Sequence, residues 1–206
     1  MIDLSTNYLG LKLDNPLVPS SSPLTGNMDN VKRLQDSGAS ALVLPSLFEE
    51  VVHHEQKQLE HYVHLQALGH YEAESYRPVP DGYEGELDNY LQHIQNLKTD
   101  LELPVIASLN GISTSGWVDF GKDMQQAGAD ALELNVYYVA ADPQQTGDEV
   151  ENRYLQLLAD LREQITIPVT MKLSSQFSSV ANMVSKLQQA GASGVVLFNR
   201  FYQPDI

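Results

Sequence analysis

The chain has 206 residues, 42% of them hydrophobic and 19% charged, with no cysteine and a formal net charge of −15. That length suits one domain with a sizeable core, and the missing cysteines exclude disulfides, a thiolate nucleophile and thiolate-ligated zinc or iron–sulfur clusters. Twelve basic residues against 27 acidic ones, scattered singly, provide no footprint for nucleic acid or an anionic membrane surface. No apolar stretch approaches the ~18–20 residues of a membrane span. The start MIDLSTNYLG has no basic stretch leading into an apolar run, so a cytoplasmic location is expected.

In chain order, Leu4–Tyr8 and Leu11–Leu13 flank Gly10 and predict a small hairpin. A first buried strand is expected at about 16–20, opening on Pro16, followed by a helix marked by Met28, Val31 and Leu34. Further strands are expected near 41–45, 104–108, 131–135, 168–172 and 194–198, giving six in all. Their apolar runs lack polar alternation, as expected for a parallel sheet covered on both faces. The phrases LQDSGASALVL, MQQAGADALEL and LQQAGASGVVL lead into three of them. In each, an amphipathic helix ends at a glycine (Gly38, Gly128 or Gly191) suited to a left-handed cap, and a strand begins. The spacing of the phrases is too uneven for a solenoid and suits βα units of unequal loop length.

Helical periodicity fills the gaps at Leu87–Leu97, Trp117–Met124, 148–163 and Val180–Leu187. Residues 47–88 form a long insertion after the second strand. Its first part is expected to be helical, and an acidic, proline- and glycine-containing part follows. Such an insertion is a candidate lid or subunit contact over a barrel mouth. The β-α alternation leaves an open doubly wound sheet or a (β/α)₈ barrel, that is, a TIM barrel. Neither G-x-G-x-x-G nor a Walker motif follows any strand, which favours the barrel.

In a barrel the chemistry lies at the C-terminal strand ends. Those ends carry Ser20–Ser22, Pro45–Ser46, Asn110–Gly111, Asn135, Lys172 and Asn199. A lone asparagine after a strand is commonly a turn residue, but here three amides converge. Lys172 closes the apolar run PVTMKL, where a lysine is costly to bury unless it meets an acceptor or an anion; otherwise it snorkels.

Taken in order, NPLVPSSSPLTG, VIASLNG, ALELNVYY, PVTMKL and LFNRF resemble the strand ends of the dihydroorotate dehydrogenase family over nearly the whole chain. The resemblance implies a (β/α)₈ barrel of the FMN-linked oxidoreductase type, acting on a CH–CH group of a small-molecule substrate in pyrimidine biosynthesis. It implies that Ser20, Ser21 and Ser46 lie beside the cofactor, FMN, and that Asn135 touches flavin and substrate. Lys172 would face the flavin N1–C2 edge and stabilise the reduced anion, and Asn199 would lie on the substrate side.

Some positions depart from the family pattern. Pro45 stands where the family carries a lysine. Tyr137 and Tyr138 stand where it carries its Cys or Ser base, and the substrate loop after the second strand has no match. Tyrosine, with a reference pKa of ~10, is a poor base at neutral pH but serves as an acid. Tyr138 is therefore the expected proton donor in a reductive reaction, with Lys172 its catalytic partner. Both tyrosines are equally readable as packed aromatics.

Two other function classes stand beside this one: a Schiff-base, aldolase-like lyase using Lys172, and a non-catalytic ligand-binding barrel. The histidines at 53, 54, 61, 64 and 70 read as a solvated or intersubunit helix face, and no metal site is expected. The resemblance and the insertion together point to a homodimer. A (β/α)₈ barrel typically needs ~250 residues, so six strands in 206 residues predict a domain unfinished at its C-terminus, with the phosphate-binding loops beyond residue 206.

Overall fold

The computed structural model describes residues 2–68, 85–111, 114–136 and 138–199. Residues 69–84, which hold the acidic half of the expected insertion, lie outside that set, as do Tyr137 and 200–206. A short antiparallel hairpin, β1 (Thr6–Tyr8) and β2 (Leu11–Leu13), opens the chain. Its tight turn places Leu9 at φ 56° and Gly10 at φ 79°, the two successive left-handed residues that a primed hairpin turn requires.

After a 3₁₀ turn at Pro23–Gly26, α1 (Met28–Asp36), β3 (Leu42–Phe48), α2 (Glu49–Leu68) and α3 (Glu86–Asp100) follow. The chain continues through β4 (Val105–Asn110), α4 (Thr114–Gln126), β5 (Ala131–Asn135), α5 (Gly147–Arg162), β6 (Val169–Leu173), α6 (Val180–Gln189) and β7 (Gly194–Leu197). Strands β3 to β7 form one parallel sheet in simple sequential order. The three recurring phrases behave as their composition requires. Gly38, Gly128 and Gly191 sit at φ 94°, 103° and 100°, and a strand of the sheet follows each one.

The expected first strand is not part of the sheet. Residues 17–19 run beside β3 with only two ladder-like bonds, Ser40 N–H to Leu17 O and Val43 N–H to Pro19 O. Pro16 and Pro19 have no N–H to give. Leu17 is 63% exposed, so this edge is not buried as the apolar run suggested. At the far edge, β7 is only partly covered. The strand β3 reaches Phe48, so Leu47 is a buried strand residue and the helical part of the insertion starts at Glu49.

The two faces of the sheet differ. Leu42, Leu44, Val105, Ala107, Leu109, Leu132, Leu134, Val169, Met171 and Leu173 point to the helices and join one large core. The opposite face starts apolar at its N-terminal end, where Val43, Ile106 and Ala131 pack on Leu9 of the hairpin. Gly194 admits that contact: a Cβ there would lie 2.7 Å from Leu9 Cδ2. Farther along the same face the buried residues become polar, with Ser108, Glu133, Thr170 and Lys172. Among the described residues, no helix is long and apolar enough to cross a membrane.

Candidate active site

The polar residues lie together because period-two alternation and parallel register stack them. Asn135 pairs with Lys172 in the β5–β6 register, and Glu133 pairs with Thr170 one layer below. Ser46 pairs with Ser108 on β3–β4, and Ser108 with Glu133 on β4–β5. The β3–β4 register shifts between Val43 and Ser46, around Pro45, which cannot donate to a ladder.

A hydrogen-bonded line crosses this face. Ser21 Oγ and Ser46 Oγ are 3.4 Å apart, and Ser46 Oγ and Ser108 Oγ are 2.8 Å apart. Ser108 Oγ donates to Glu133 Oε1 at 3.3 Å, and Lys172 Nζ donates to the same oxygen at 3.4 Å. Glu133 is 2% exposed and Lys172 9%, so each ion is the other's counter-charge in a dry interior. At the strand-end layer, Asn199 Nδ2 donates to Asn135 Oδ1 at 2.8 Å, and Asn199 N–H bonds Leu173 O. Ser20, exposed, lines a cavity of about 340 Å³ with Tyr8, Val43, Glu133 and Val196.

The structure therefore joins Ser21 to Ser46, Asn135 to Asn199, and Lys172 to the same face. Tyr138 has a different neighbourhood. Its hydroxyl donates to Gln145 Oε1 at 2.7 Å, and the Arg153 guanidinium lies 4.3 Å from its ring centroid. It packs against the helix-side core and lines a polar surface pocket with Asp142, Gln144, Gln145, Glu149 and Arg153. None of its described contacts is with Lys172, Asn135 or Asn199.

Three contributors were not singled out from sequence. Glu133 and Ser108 signal themselves as a charge and a hydroxyl inside the apolar runs ALELN and VIASLN. Tyr90, on α3, accepts from Ser108 N–H at 2.9 Å and donates to Ser108 O at 3.1 Å. Burial pushes the Tyr90 phenol well above the ordinary tyrosine value, and the Glu133 charge adds to the rise.

Near the same end of the sheet, Glu49 is buried at the start of α2 and bonds His53 Nε2 at 3.1 Å. A Cβ on Gly116 would overlap its carboxylate. Glu55 of α2 accepts from Glu86 N–H at the start of α3, so the first half of the insertion helix is anchored at both ends of that half. His64 and His70 lie outside the residues whose side chains are described.

Fold and site together define a parallel α/β sheet whose inner face carries a buried ion pair and whose C-terminal edge carries an amide pair. Curated proteins share similarity along most of the chain's length. The chain is similar to the catalytic subunit of dihydroorotate dehydrogenase B (NAD(+)) from Thermoplasma acidophilum, 27% identical over 202 residues. The match covers 93% of this chain and 61% of that protein. It is also similar to the NAD-dependent dihydropyrimidine dehydrogenase subunit PreA of Escherichia coli K12, 23% identical over 96% of this chain and 48% of that one. The resemblance read from the strand-end motifs is thus borne out by relatives named dihydroorotate dehydrogenase B and dihydropyrimidine dehydrogenase subunit PreA. It spans about half to three fifths of the length of these relatives.

No family model matches the chain. Among solved structures, an IMP dehydrogenase/GMP reductase-like protein from Corynebacterium glutamicum superposes with a TM-score of 0.55 at 13% identity, covering 94% of this chain and 48% of that one. A prophage protein of the dihydrodipicolinic acid synthase family from Escherichia coli K12, in complex with pyruvate, gives 0.51 at 15% identity, covering 87% and 53%. These two likenesses concern the fold.

Proposed function

We propose that the chain is part of an FMN-dependent oxidoreductase acting on a carbon–carbon single or double bond of a small cyclic substrate. In this reading the five-stranded sheet is an arc of a (β/α)₈ barrel. The observation that carries it is the placement of Lys172 and the Asn135–Asn199 pair at the C-terminal ends of consecutive parallel strands, in a chain similar along most of its length to two dehydrogenase subunits.

The residues present fit a flavin. A nearly buried ammonium suits the electron-rich edge of a reduced isoalloxazine. The small side chains of Ser20, Ser21 and Ser46 let a planar ring approach the backbone. When bound, FMN supplies hydride acceptance or donation. Lys172 would hold positive charge beside it, Asn135 and Asn199 would present amide donors and acceptors to a substrate ring, and α2, which follows β3, would cover the mouth.

Tyr138 holds the position of the family's base. Its hydroxyl donates outward to Gln145, away from the inner face, so it would protonate a substrate there only after giving up that bond; as a weak acid it is better suited to donate a proton than to abstract one. A donor supports proton delivery to an alkene carbon, hence reduction, and the reductive direction is the one proposed. The substrate, its homodimeric state and the lid role of 47–88 belong to the same proposal.

The test is uptake of FMN by the purified chain, followed by absorbance in the flavin bands and quenching of flavin fluorescence. Binding that Lys172→Met weakens at least ~10-fold, as loss of a charge-assisted hydrogen bond to the ring's carbonyl edge predicts, supports the reading. Because the phosphate-binding loops are expected beyond residue 206, binding is expected to be weak; folded protein in which even a large excess of FMN leaves the flavin fluorescence unchanged refutes the reading. Borohydride trapping of a carbonyl compound on Lys172 would instead select the lyase.

A further inference from the structure

Glu133 is the one acidic side chain described as hydrogen-bonding Lys172, and although the motif ALELNVYY contains it, the resemblance assigns it no role. Its backbone lies one layer below Asn135 and Lys172 in the β5–β6 register. The Lys172 side chain therefore turns back along the inner face to reach Oε1 at 3.4 Å. The same oxygen takes the Ser108 hydroxyl at 3.3 Å, and Ser108 continues through Ser46 to Ser21. Glu133 is 2% exposed, and these donors and the ammonium are the partners that offset its burial.

The other titratable groups facing the pair are two phenols, Tyr8 from the hairpin and Tyr90 from α3. Both are raised chiefly by burial and further by the Glu133 charge. They remain neutral at physiological pH, leaving Glu133 and Lys172 to balance each other.

We propose that Glu133 is a positioning residue for Lys172: it pairs with the amine and draws it onto the inner face, and the serine line fixes the carboxylate that does so. The proposal rests on the flavin reading for its meaning, because a fixed, compensated cation is what an anionic reduced ring would meet there. Two consequences separate it from a merely structural role. The chemistry of the Lys172 nitrogen responds to the charge at 133, and it responds more weakly to loss of Ser108, which removes one of the carboxylate's donors and no charge.

The test is trace labelling of FMN-free protein with acetic anhydride, with acetylation of Lys172 quantified by peptide mass spectrometry against Lys12 in the exposed hairpin. Glu133→Gln strands the amine without its counter-ion in a dry interior, where the uncharged, nucleophilic form gains. Lys172 is then expected to label at least ~10-fold faster, the equivalent of one pH unit in the population of free amine. Glu133→Asp keeps the charge and withdraws the oxygen, and labelling falls between the two. Ser108→Ala stays close to wild type.

If the Gln variant loses its native circular dichroism, the Asp variant decides alone, by labelling faster than wild type. Unchanged Lys172 labelling in a folded Gln or Asp variant overturns the proposal. FMN uptake is measured on the same samples. Failure to bind FMN together with the labelling response removes the flavin reading and still supports the role of Glu133.

Discussion

Tyr90→Phe isolates one pair of hydrogen bonds that the site depends on. The phenol accepts from Ser108 N–H at 2.9 Å and donates to Ser108 O at 3.1 Å, beside the shifted β3–β4 register. Phenylalanine preserves the ring and its packing against the helix-side core and removes only the oxygen. The carbonyl oxygen has a second lone pair, but the N–H is left in a fully buried residue of a central strand without an acceptor. An orphaned buried donor costs about 1–3 kcal/mol, and the lost neutral bond to the carbonyl adds about 0.5–1. The expected destabilisation is therefore about 2–3 kcal/mol, a large share of a typical domain's stability. Urea unfolding followed by circular dichroism measures it, and an unchanged m-value would show that the compared states are the same. The Ser108 hydroxyl also bridges Ser46 and Glu133, so FMN affinity should fall alongside stability. A loss below about 0.5 kcal/mol, the size of an ordinary surface change, would mean that Ser108 N–H finds another acceptor, and the account of the bulge would fail.

The same phenol sets an alkaline limit. Its protonated form is favoured in the folded state, so its contribution to stability is complete below about pH 10, the unfolded tyrosine value, and drains as pH rises above it. Melts at pH 8 and pH 11 should show this loss in the wild type and less of it in Tyr90→Phe; equal losses would contradict it. Gly116→Ala must displace the buried Glu49 carboxylate, which should cost about 1–3 kcal/mol as an overpacking change and loosen α2, read as faster proteolysis within that helix. Thr146 caps α5, accepting from Glu149 N–H while its own N–H donates to Glu149 Oε2 at 2.7 Å. Thr146→Ala should cost about 1 kcal/mol, a fall in Tm of about 2–4 °C in differential scanning calorimetry; no fall would show the cap to be redundant.

The helix side of the fold was legible because it rests on local signals. Glycine caps after LQDS, MQQA and LQQA, the 3.6-residue stripes and the apolar strand cores all act within a few residues of one another. The first strand misled because its apolar pattern resembles that of its neighbours, while the two prolines remove the donors that a ladder needs. The inner face was legible only in part. Lys172, Asn135 and Asn199 are marked by their place at the ends of apolar runs. Glu133 sits in mid-run, and its meaning depends on Ser108 and Lys172, which lie 25 and 39 residues away and reach it only through register. Tyr90 is further removed still: its periodicity reads as a core position, and only the shifted ladder at Ser108 reveals why a hydroxyl is needed there.

Register explains why the chemistry is confined to one end of one face. At the N-terminal end of the sheet, the hairpin places Leu9 against Val43, Ile106 and Ala131, an apolar layer whose side chains offer no polar partner. Two residues on, the same face carries Ser108, Glu133 and Thr170, and beyond them Asn135, Lys172 and Asn199. The apolar layer raises the cost of any unpaired charge above it, so the ion pair is compulsory once Lys172 is there. A slip of β6 by one residue would turn Lys172 into the helix core and bring Met171 or Leu173 to the inner face. That slip would strand Glu133 without its counter-ion and bury the ammonium among the leucines of α5, two penalties of several kcal/mol each. The pair therefore helps to specify the strand register on which the strand-end site depends.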